Sequence, residues 1–312
     1  MKNFTSIYDI DDIHAWIKEA KALKAAPLKY LDLGKHKTIG LLFFNASLRT
    51  RLSTQRAALN LGMNPIVMNV SGETWGIEFD DGMVMNGTRA EHIKEAAAVL
   101  SQYCDIIAIR SFPDLLDKVK DESEHVISTF MKYATVPILN MESATQHPLQ
   151  GLTDALTISE HSIHKRPKVV LSWAPHIKPL PHAVANSFIQ TMQKMDVDFS
   201  IVHPEGYELN KEITGQTPIF HNQEEAFKNA DFVYAKNWSS YIDYGKVINT
   251  DPNWMITQGK LGKAKFLHCL PVRRNLVVED AVLDSENSLV IEQANNRTYA
   301  AQLVLKKLLE NG

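Results

Sequence analysis

Residues 38–51 read TIGLLFFNASLRTR, an apolar run followed by a small polar corner and two arginines. The run 38–44 predicts a buried β-strand, and a helical pattern follows it at 52–62. A strand that ends in a polar turn and continues as a helix is the repeating element of α/β proteins. The stretch therefore predicts a strand–helix unit with its polar corner at the carboxyl end of the strand.

The same alternation of apolar runs and helical patterns continues along the chain. It predicts further strands at 65–70, 105–110, 136–141, 168–174, 198–203, 232–235 and 265–268. Helices are predicted at 89–103, 122–133, 151–161, 181–195, 224–229 and 297–310. This order favours an α/β fold: two doubly wound parallel-sheet domains with an active-site cleft between them, bridged by helices. We place the domains at 1–150 and 151–296, with a C-terminal helix at 297–312 that packs back on the first domain.

Composition narrows the class of protein. The 312 residues are 45% apolar and 22% charged, as in a soluble globular protein, and the net charge is −3. That charge gives no reason to expect nucleic acid or an anionic membrane as a partner, and no apolar run approaches the roughly 18 residues of a membrane span. Two cysteines, Cys104 and Cys269, argue against a disulfide framework. The N-terminus lacks the apolar core of a signal peptide, so we expect a cytoplasmic protein.

The two arginines after the first strand stand where a helix already carries the positive end of its dipole. In one interpretation Ser47 is an N-cap residue, and Arg49 and Arg51 are solvated. In the other, an anion lies on the helix N-terminus, where backbone N–H groups, the hydroxyls of Ser47 and Thr50 and a guanidinium converge on phosphate oxygens. The phosphate-loop and dinucleotide glycine patterns are absent from the sequence, which argues against a dinucleotide cofactor.

Three motifs in order resemble those of the transcarbamylases, the family of aspartate and ornithine carbamoyltransferases. SLRTR at 47–51 resembles the S-x-R-T-R carbamoyl phosphate motif, HPLQ at 147–150 resembles H-P-x-Q, and HCLP at 268–271 resembles H-C-L-P. Arg110 closes the third predicted strand, as the carbamoyl-binding arginine of the family does. The resemblance covers essentially the whole chain. It implies a carbamoyl phosphate-binding first domain and a second domain that binds the amine.

The resemblance implies a role for each matching position. Carbamoyl phosphate would be bound by Ser47, Leu48, Arg49, Thr50, Trp75, Arg110, His147, Gln150, Leu270 and Arg297. Arg110, His147 and Thr50 would donate to the carbamoyl carbonyl oxygen, where negative charge grows as the amine attacks. Gln150 and the Leu270 carbonyl would orient the carbamoyl NH2 group. No metal, cofactor or covalent intermediate is implied, so positioning and electrostatics would drive catalysis, and the leaving phosphate could take the amine's proton.

Cys269 invites a nucleophile interpretation, but no cationic or helix-terminal surroundings are predicted for it. We interpret it instead as a thiol that lines the substrate near the amine. The predicted catalytic set is Arg110, His147, Gln150 and Cys269.

Four histidines occur in pairs, His161/His164 and His176/His182, and they lack convincing zinc spacing with supporting ligands. We therefore interpret them as non-metal residues.

The segment 71–82 reads SGETWGIEFDDG and predicts a long loop that carries Trp75. A tryptophan is costly to leave in water. In one interpretation Trp75 caps its own core. The resemblance favours another, in which the loop reaches a neighbouring subunit's active site in a homotrimer.

The amine substrate is predicted from a departure from the family pattern. Ornithine transcarbamylases carry D-x-x-x-S-M-G after a strand of the second domain, whereas this chain reads DFVYAKNW at 231–238. Lys236 would repel an α-ammonium group and pair with a carboxylate. The chain therefore resembles the subfamily that acts on N-acylated ornithines, in which acylation removes the positive charge.

The acyl group is a finer question. A succinyl group adds a second carboxylate, and we count as available cations Arg89, His176, Lys178, Lys236, Arg273 and Arg274. By resemblance, position 90 corresponds to an acidic residue of the N-acetyl enzymes, which contacts the acyl region through an adjacent subunit. In this chain the residue is Ala90. We expect acylornithine to be bound by Glu142, His176, Lys236, Cys269, Leu270, Arg273 and Ala90.

The predicted function is transfer of a carbamoyl group to N-succinylornithine in arginine biosynthesis, with N-acetylornithine as the alternative. Aspartate transcarbamylase is a more remote possibility within the enzyme class. An anion-binding regulatory protein would have little reason to keep the whole carbonyl-polarising set, and a dehydrogenase would need the missing glycine pattern.

Overall fold

The structure is a computed structural model that describes residues 1–311, without the side chains of residues 71 and 73. The chain divides into two compact units. Unit 1 comprises Met1–Leu149 together with the segment that begins at Arg297, and unit 2 comprises Gln150–Asn296.

Unit 1 contains six strands: β1 (Thr38–Phe43), β2 (Asn64–Asn69), β3 (Gly76–Glu78), β4 (Arg89–His92), β5 (Ile106–Arg110) and β6 (Ile138–Glu142). Four of them form a parallel sheet in the order β2-β1-β5-β6, and β3 pairs with β4. Ile39 of β1 lies opposite Ile106 of β5. The chain order reverses between β1 and β5, so the ends of these two strands flank the position where doubly wound sheets bind ligands.

The helices of unit 1 before the domain boundary are α1 (Ile13–Ala25), α2 (Arg49–Asn60), α3 (Val70–Glu73), α4 (Ile93–Tyr103), α5 (Lys118–Glu122) and α6 (His125–Tyr133). Ile93 and Ala97 lie four residues apart and therefore on one face of α4. They share a buried apolar cluster with Ile107 and Ile109 of β5 and with Phe130 of α6. This core fixes the strand whose last residue is Arg110.

Two helices contain the boundaries of the units. Leu149 and Gln150 both belong to α7 (Pro148–His161), and Asn296 and Arg297 both belong to the terminal helix (Val290–Glu310). The chain therefore passes between the units along helices.

Unit 2 contains five strands: β7 (Lys168–Trp173), β8 (Asp198–Val202), β9 (Ile219–Phe220), β10 (Phe232–Lys236) and β11 (Lys265–Leu267). They form a parallel sheet in the order β11-β10-β7-β8-β9. Here the order reverses between β7 and β10. The ends of those strands, near His176 and at Lys236, therefore flank the second switch point.

The sheet of unit 2 is buried on both faces. Val169 and Leu171 of β7 belong to one apolar cluster, and Val170 between them belongs to another. Because successive side chains of a strand point to opposite faces, both faces are covered, as a parallel sheet requires. The helices of this unit are α8 (Ala183–Met192), α9 (Lys211–Thr214), α10 (Gln223–Phe227), α11 (Gln258–Leu261) and α12 (Asp280–Leu283), and the terminal helix is α13 (Val290–Glu310).

The C-terminal part of α13 is bonded to the rest of unit 1. The Asn60 amide donates to Gln302 Oε1 at 2.9 Å, and the Lys306 ammonium lies 2.8 Å from a Glu19 carboxylate oxygen. Among residues 1–311, no helix is long and apolar enough to cross a membrane.

The α/β fold class with parallel sheets is confirmed. The sequence did not predict helix α1 (Ile13–Ala25), and the terminal helix begins at Val290, seven residues before its predicted start at 297. Residues 89–92 form strand β4 instead of the start of a helix, which begins only at Ile93. The predicted loop at 71–82 contains the end of α3 and all of β3. The predicted helix at 122–133 is interrupted, because Glu124 adopts a left-handed conformation with φ of 52° between α5 and α6. Short polar strands and a left-handed residue leave no periodic signal in the sequence.

Candidate active site

Helix α2 begins without a side-chain cap. Its N-cap residue is Leu48, and no side-chain hydrogen bond caps the first turn. The interpretation of Ser47 as the N-cap residue is therefore wrong. Because the first N–H groups of a helix have no intrahelical acceptors, this end of a 12-residue helix is suited to an anion.

The two arginines of the S-x-R-T-R motif differ in their surroundings. Arg49 is the first residue of α2 and is partly buried. Arg51 donates a hydrogen bond to Asn69 Oδ1, and its guanidinium carbon lies 5.0 Å from the centre of the Phe43 ring. Arg51 is therefore bound to its own unit through β1 and β2, and it is Arg49 that remains the candidate for the anion.

Arg110 is held rigidly at the end of β5. It is 6% exposed, and one terminal nitrogen donates to the carbonyl oxygens of Asn45 at 3.0 Å and Ala46 at 2.7 Å. Its Nε lies 3.2 Å from Glu142 Oε2, and its guanidinium stacks over Phe112 at 4.1 Å. These contacts join the ends of the strands at the switch point of unit 1.

His147 and Arg297 lie in the same buried group. His147 is 2% exposed, and its Nε2 lies 3.5 Å from Glu142 Oε2 and 3.4 Å from a terminal nitrogen of Arg297. That nitrogen of Arg297 also donates to Thr50 Oγ1 at 2.6 Å. The structure thus brings together Thr50, Arg110, His147 and Arg297, which were predicted for carbamoyl phosphate. Such buried cationic and hydroxyl donors can stabilise negative charge on an oxyanion.

Glu142 was predicted to bind acylornithine, and the structure adds two neighbours to it. Its carboxylate is 7% exposed and lies within 3.5 Å of both Arg110 and His147. It therefore orients these two side chains, whichever ligand it also contacts.

The loop between Glu142 and His147 is fixed by a residue that the sequence did not suggest. One carboxylate oxygen of Glu124 accepts hydrogen bonds from Thr145 N at 2.7 Å, Thr145 Oγ1 at 2.6 Å and Ser143 Oγ at 2.9 Å. Burial raises the pKa of Glu124, although the hydrogen bonds from Thr145 and Ser143 oppose this effect.

Gln150 is held within unit 2 by a chain of buried hydrogen bonds. Its Nε2 donates to Asp154 Oδ1 at 2.7 Å, and the same oxygen accepts from Gln293 Nε2 at 2.7 Å. Gln293 Oε1 accepts from the backbone N–H of His268 at 3.0 Å. The chain thus connects the H-P-x-Q motif to the H-C-L-P motif. Sequence reasoning missed Asp154 and Gln293. For Asp154 the only signal was its spacing of four residues from Gln150 in α7, and for Gln293 in α13 there was none.

The H-C-L-P segment has an unusual backbone. The Leu270–Pro271 peptide bond is cis, Leu270 has φ of 54°, and Leu270 N donates to His268 Nδ1 at 2.9 Å. Cys269 is a free, partly buried thiol. The nitrogen of His268 that accepts from Leu270 cannot carry a proton, so the imidazole fixes the orientation of the following peptide.

A cationic cluster surrounds His176 at the other switch point. Arg273 Nε donates to His176 Nε2 at 3.3 Å, and His176 Nδ1 lies 3.0 Å from the Lys178 carbonyl oxygen. Burial lowers the pKa of His176, and the positive charges of Lys236, Arg273 and Lys178 lower it further. No acidic side chain among those that the structure describes forms an ion pair with Lys178, Lys236 or Arg273. We call Lys178, Lys236, Arg273 and His176 the cationic cluster.

Two of the cations that were counted as available are neutralised. Arg274 forms ion pairs with Asp280 at 2.9 Å and Asp284 at 2.7 Å. Arg89 lies 2.8 Å from a carboxylate oxygen of Glu78. The prediction that both are free for a second carboxylate is therefore wrong.

Trp75 does not cap the core of its own chain. Its ring is 60% exposed, and its Nε1 donates to Glu91 Oε2 at 2.6 Å. Ala90 is exposed in β4, the strand that pairs with β3. Both residues therefore lie at the surface of a single chain.

The paired histidines have separate surroundings. His164 Nδ1 lies 2.7 Å from an Asp231 oxygen, and His182 Nε2 lies 2.7 Å from the Ser239 carbonyl oxygen. Potential metal-ligand atoms of His161, Glu160 and Glu292 lie within 4.8 Å of one another. The expected lack of a metal remains a prediction.

Comparison with known families matches both halves of the chain. Residues 2–160 match the model of the aspartate/ornithine carbamoyltransferase carbamoyl-P binding domain. Residues 181–308 match the model of the aspartate/ornithine carbamoyltransferase Asp/Orn binding domain.

Individual relatives and solved structures are similar over nearly their full length. N-succinylornithine carbamoyltransferase of Bacteroides fragilis (strain 638R) is 46% identical, covering 100% of this chain and 99% of that protein. N-acetylornithine carbamoyltransferase of Xanthomonas campestris pv. campestris is 36% identical, covering 93% of this chain and 94% of that protein. A crystal structure of an N-acetyl-L-ornithine transcarbamylase variant, with a glutamate replaced by alanine and complexed with carbamyl phosphate and N-succinyl-L-norvaline, has a TM-score of 0.91 and 35% identity, covering 99% of this chain and 100% of that one.

Proposed function

The chain belongs to the aspartate/ornithine carbamoyltransferase family, and we propose that it transfers the carbamoyl group of carbamoyl phosphate to the δ-amine of N-succinyl-L-ornithine. The products are N-succinylcitrulline and phosphate. We place this reaction in arginine biosynthesis in the cytoplasm.

The choice of N-succinylornithine as the acceptor substrate rests on the cationic cluster of unit 2. Lys236 ends β10 at the switch point, and Arg273 contacts His176 beside it. An α-ammonium group would be repelled there, whereas carboxylates would be attracted. N-Succinylornithine carries two carboxylates and N-acetylornithine carries one. A cluster that holds three permanent cations without an acidic partner in the described chain suits the dicarboxylate better.

The donor substrate fits the buried group of unit 1. We assign the phosphate to the uncapped start of α2, with Ser47, Arg49, Thr50 and the Leu48 N–H, and with Arg297 bonded to Thr50. We also assign Trp75 of a neighbouring subunit to the binding of carbamoyl phosphate.

In the proposed reaction the δ-amine attacks the carbamoyl carbon and phosphate leaves. Arg110, His147 and Thr50 stabilise the charge that develops on the carbonyl oxygen. Gln150 and the Leu270 carbonyl orient the NH2 group, and Cys269 lines the amine. The departing phosphate accepts the proton that the amine loses.

The comparisons support a succinyl substrate. The two Bacteroides relatives at 46% identity are named N-succinylornithine carbamoyltransferases. Variants of N-acetyl-L-ornithine transcarbamylase with a glutamate replaced by alanine, valine or serine have been solved with N-succinyl-L-norvaline. In those proteins a small residue in place of a glutamate is compatible with a succinyl ligand. Ala90, by resemblance, is the small residue of this chain at such a position.

We also propose a homotrimer in which Trp75 acts on a neighbouring subunit. Trp75 is 60% exposed in the single chain, and α2 exposes Leu52 at 57% and Leu59 at 51%. Leu52 and Leu59 lie seven residues apart and therefore on one face of α2, and exposed apolar patches of this kind are typical of protein–protein contacts.

The test of the acceptor is phosphate release from carbamoyl phosphate with ornithine, N-acetylornithine and N-succinylornithine side by side. We expect turnover with the succinyl compound. Turnover with the acetyl compound alone would establish the alternative acceptor, and turnover with free ornithine would contradict the role of Lys236.

Ala90→Glu tests the acyl preference separately. A carboxylate at this position should repel the succinyl carboxylate and shift the ratio of kcat/KM values toward the acetyl compound. An unchanged ratio would remove Ala90 from the argument. Thr88→Glu, which introduces the same charge two residues away, is the matched control.

A further inference from the structure

In the buried hydrogen-bond chain that links Gln150, Asp154, Gln293 and His268, each bond has a fixed donor and a fixed acceptor. This order determines which end of the Gln150 amide faces a ligand. Asp154 is fully buried, and its carboxylate can only accept hydrogen bonds when ionised. Both glutamine amides that contact it must therefore turn their NH2 groups toward it. The 2.7 Å distances from Asp154 Oδ1 to Gln150 Nε2 and Gln293 Nε2 agree with this requirement.

The second end of each amide is consequently an acceptor. Gln293 Oε1 receives the backbone N–H of His268 at 3.0 Å. Gln150 Oε1 is buried and has no hydrogen-bond partner in the part of the chain that the structure describes. A buried acceptor that lacks a partner costs free energy, so the site is completed by a donor from a ligand. An NH2 group is such a donor.

We propose that Asp154 is a positioning residue, which orients Gln150 so that its carbonyl oxygen, and not its NH2 group, faces the carbamoyl NH2 group. The inference rests on the proposed function, because it uses the position assigned there to carbamoyl phosphate. Through Gln293 and His268, the same carboxylate also supports the segment that carries the Leu270 carbonyl. One buried aspartate thus orients both carbonyl acceptors for the carbamoyl NH2 group.

The main test replaces Asp154 by leucine, which has a similar shape and no acceptor. The Gln150 amide can then rotate, so that its own NH2 group faces the carbamoyl NH2 group and two donors oppose each other. We expect binding of carbamoyl phosphate to weaken about 10- to 100-fold. Binding of inorganic phosphate, which has no NH2 group, should change less than about threefold. Calorimetry measures both, and Asp198→Leu at the exposed start of β8 is the matched control.

Two further variants separate orientation from general support. Asp154→Asn keeps an oxygen that can accept both hydrogen bonds and should bind carbamoyl phosphate within about fivefold of the wild type. In the Asp154→Leu background, Gln150→Glu places a carboxylate whose two oxygens are both acceptors, so it cannot be misoriented. We expect this double variant to recover at least about fivefold of the lost affinity. A merely structural role of Asp154 would make the second substitution neutral or harmful.

Several outcomes would overturn the proposal. Equal weakening of carbamoyl phosphate and inorganic phosphate would mean that Asp154 supports the fold only, and no weakening would mean that it has no role in orientation. If Asp154→Leu does not fold, Gln150→Glu alone decides. Two adjacent carboxylates must share a proton, so its binding of carbamoyl phosphate should fall relative to the wild type as pH rises. A pH-independent ratio would contradict the inference.

The acceptor substrate does not enter these binding measurements. If the wild type binds carbamoyl phosphate but turns over no acylornithine, the proposed acceptor fails while the inference on Asp154 is still decided.

Discussion

Replacing Lys236 by methionine tests the choice of acceptor most directly. Methionine preserves most of the side-chain volume and removes only the charge. Lys236 ends β10, is partly buried and has no acidic partner among the described side chains. Its removal therefore leaves no carboxylate of the protein uncompensated, so the effect on a bound anion can be measured without a large effect on folding.

The expected magnitude follows from the surroundings of the ammonium group. Two unit charges at 4 Å interact by about 1 kcal/mol in water and about 4 kcal/mol near a protein surface. A charge-assisted hydrogen bond contributes about 1.5–3 kcal/mol, which lies within that range. We therefore expect KM for N-succinylornithine to rise about 10- to 150-fold, because each 1.4 kcal/mol corresponds to about a factor of ten. KM for carbamoyl phosphate should change less than about threefold.

The assay is steady-state phosphate release with each substrate varied in turn, and Lys263→Met is the control at an exposed lysine of the same unit. A second measurement follows His176. Lys236 contributes to the lowered pKa of this imidazole, so the variant should show a higher His176 pKa by NMR. An unchanged KM for N-succinylornithine together with a raised His176 pKa would mean that Lys236 belongs to the cationic cluster but does not bind the acceptor, and the reasoning from charge would be refuted.

Three further perturbations test contacts of unit 1. Arg297→Met removes the 2.6 Å hydrogen bond to Thr50 Oγ1 and should weaken carbamoyl phosphate binding about 10- to 150-fold by calorimetry, whereas an unchanged affinity would exclude Arg297 from the site. Glu124→Gln should raise Tm at about pH 8, because burial raises the pKa of Glu124 and the charged carboxylate present at that pH destabilises the folded state. The gain in Tm should disappear below the ordinary glutamate pKa of about 4.3, where the carboxyl group is protonated in both the folded and the unfolded state. A gain that persists in acid would contradict this cause. If Trp75 acts on a neighbouring subunit, mixing the inactive variants Trp75→Ala and His147→Ala should restore part of the turnover, because some active sites then combine an intact His147 with an intact Trp75 from the next subunit. Size-exclusion chromatography checks that mixed oligomers have formed. Mixed oligomers without turnover would refute a site shared between subunits.

The fold was predictable because its central strands are buried on both faces. After Thr38, the run TIGLLFF has no polar residue that would obscure it, so its predicted position at 38–44 agrees closely with β1. The strand β4, which begins at Arg89, is short, polar and largely exposed, and its pairing with β3 depends on a partner that no local pattern identifies.

The candidate site was predictable where a residue follows a strand at a switch point. Arg110 ends β5 in unit 1 and Lys236 ends β10 in unit 2. Each residue lies at the switch point of its own sheet, where doubly wound sheets bind ligands. Neutralisation of Arg274 was not predictable, because Asp280 and Asp284 are six and ten residues away and meet it only through a turn and α12. Asp154 and Gln293 were missed for a similar reason, since 139 positions of sequence separate them.

Arg297 has a consequence for how the protein is made. Unit 1 is discontinuous: its sheet comes from the first 149 residues, but Arg297, Gln302 and Lys306 come from the last helix. Chains are synthesised from the N-terminus, and domains generally fold as units. A growing chain on the ribosome therefore presents the SLRTR turn long before the arginine that bonds to it exists. A product that stops before residue 297 lacks Arg297, so by the proposed assignment it binds carbamoyl phosphate more weakly than a chain that includes α13.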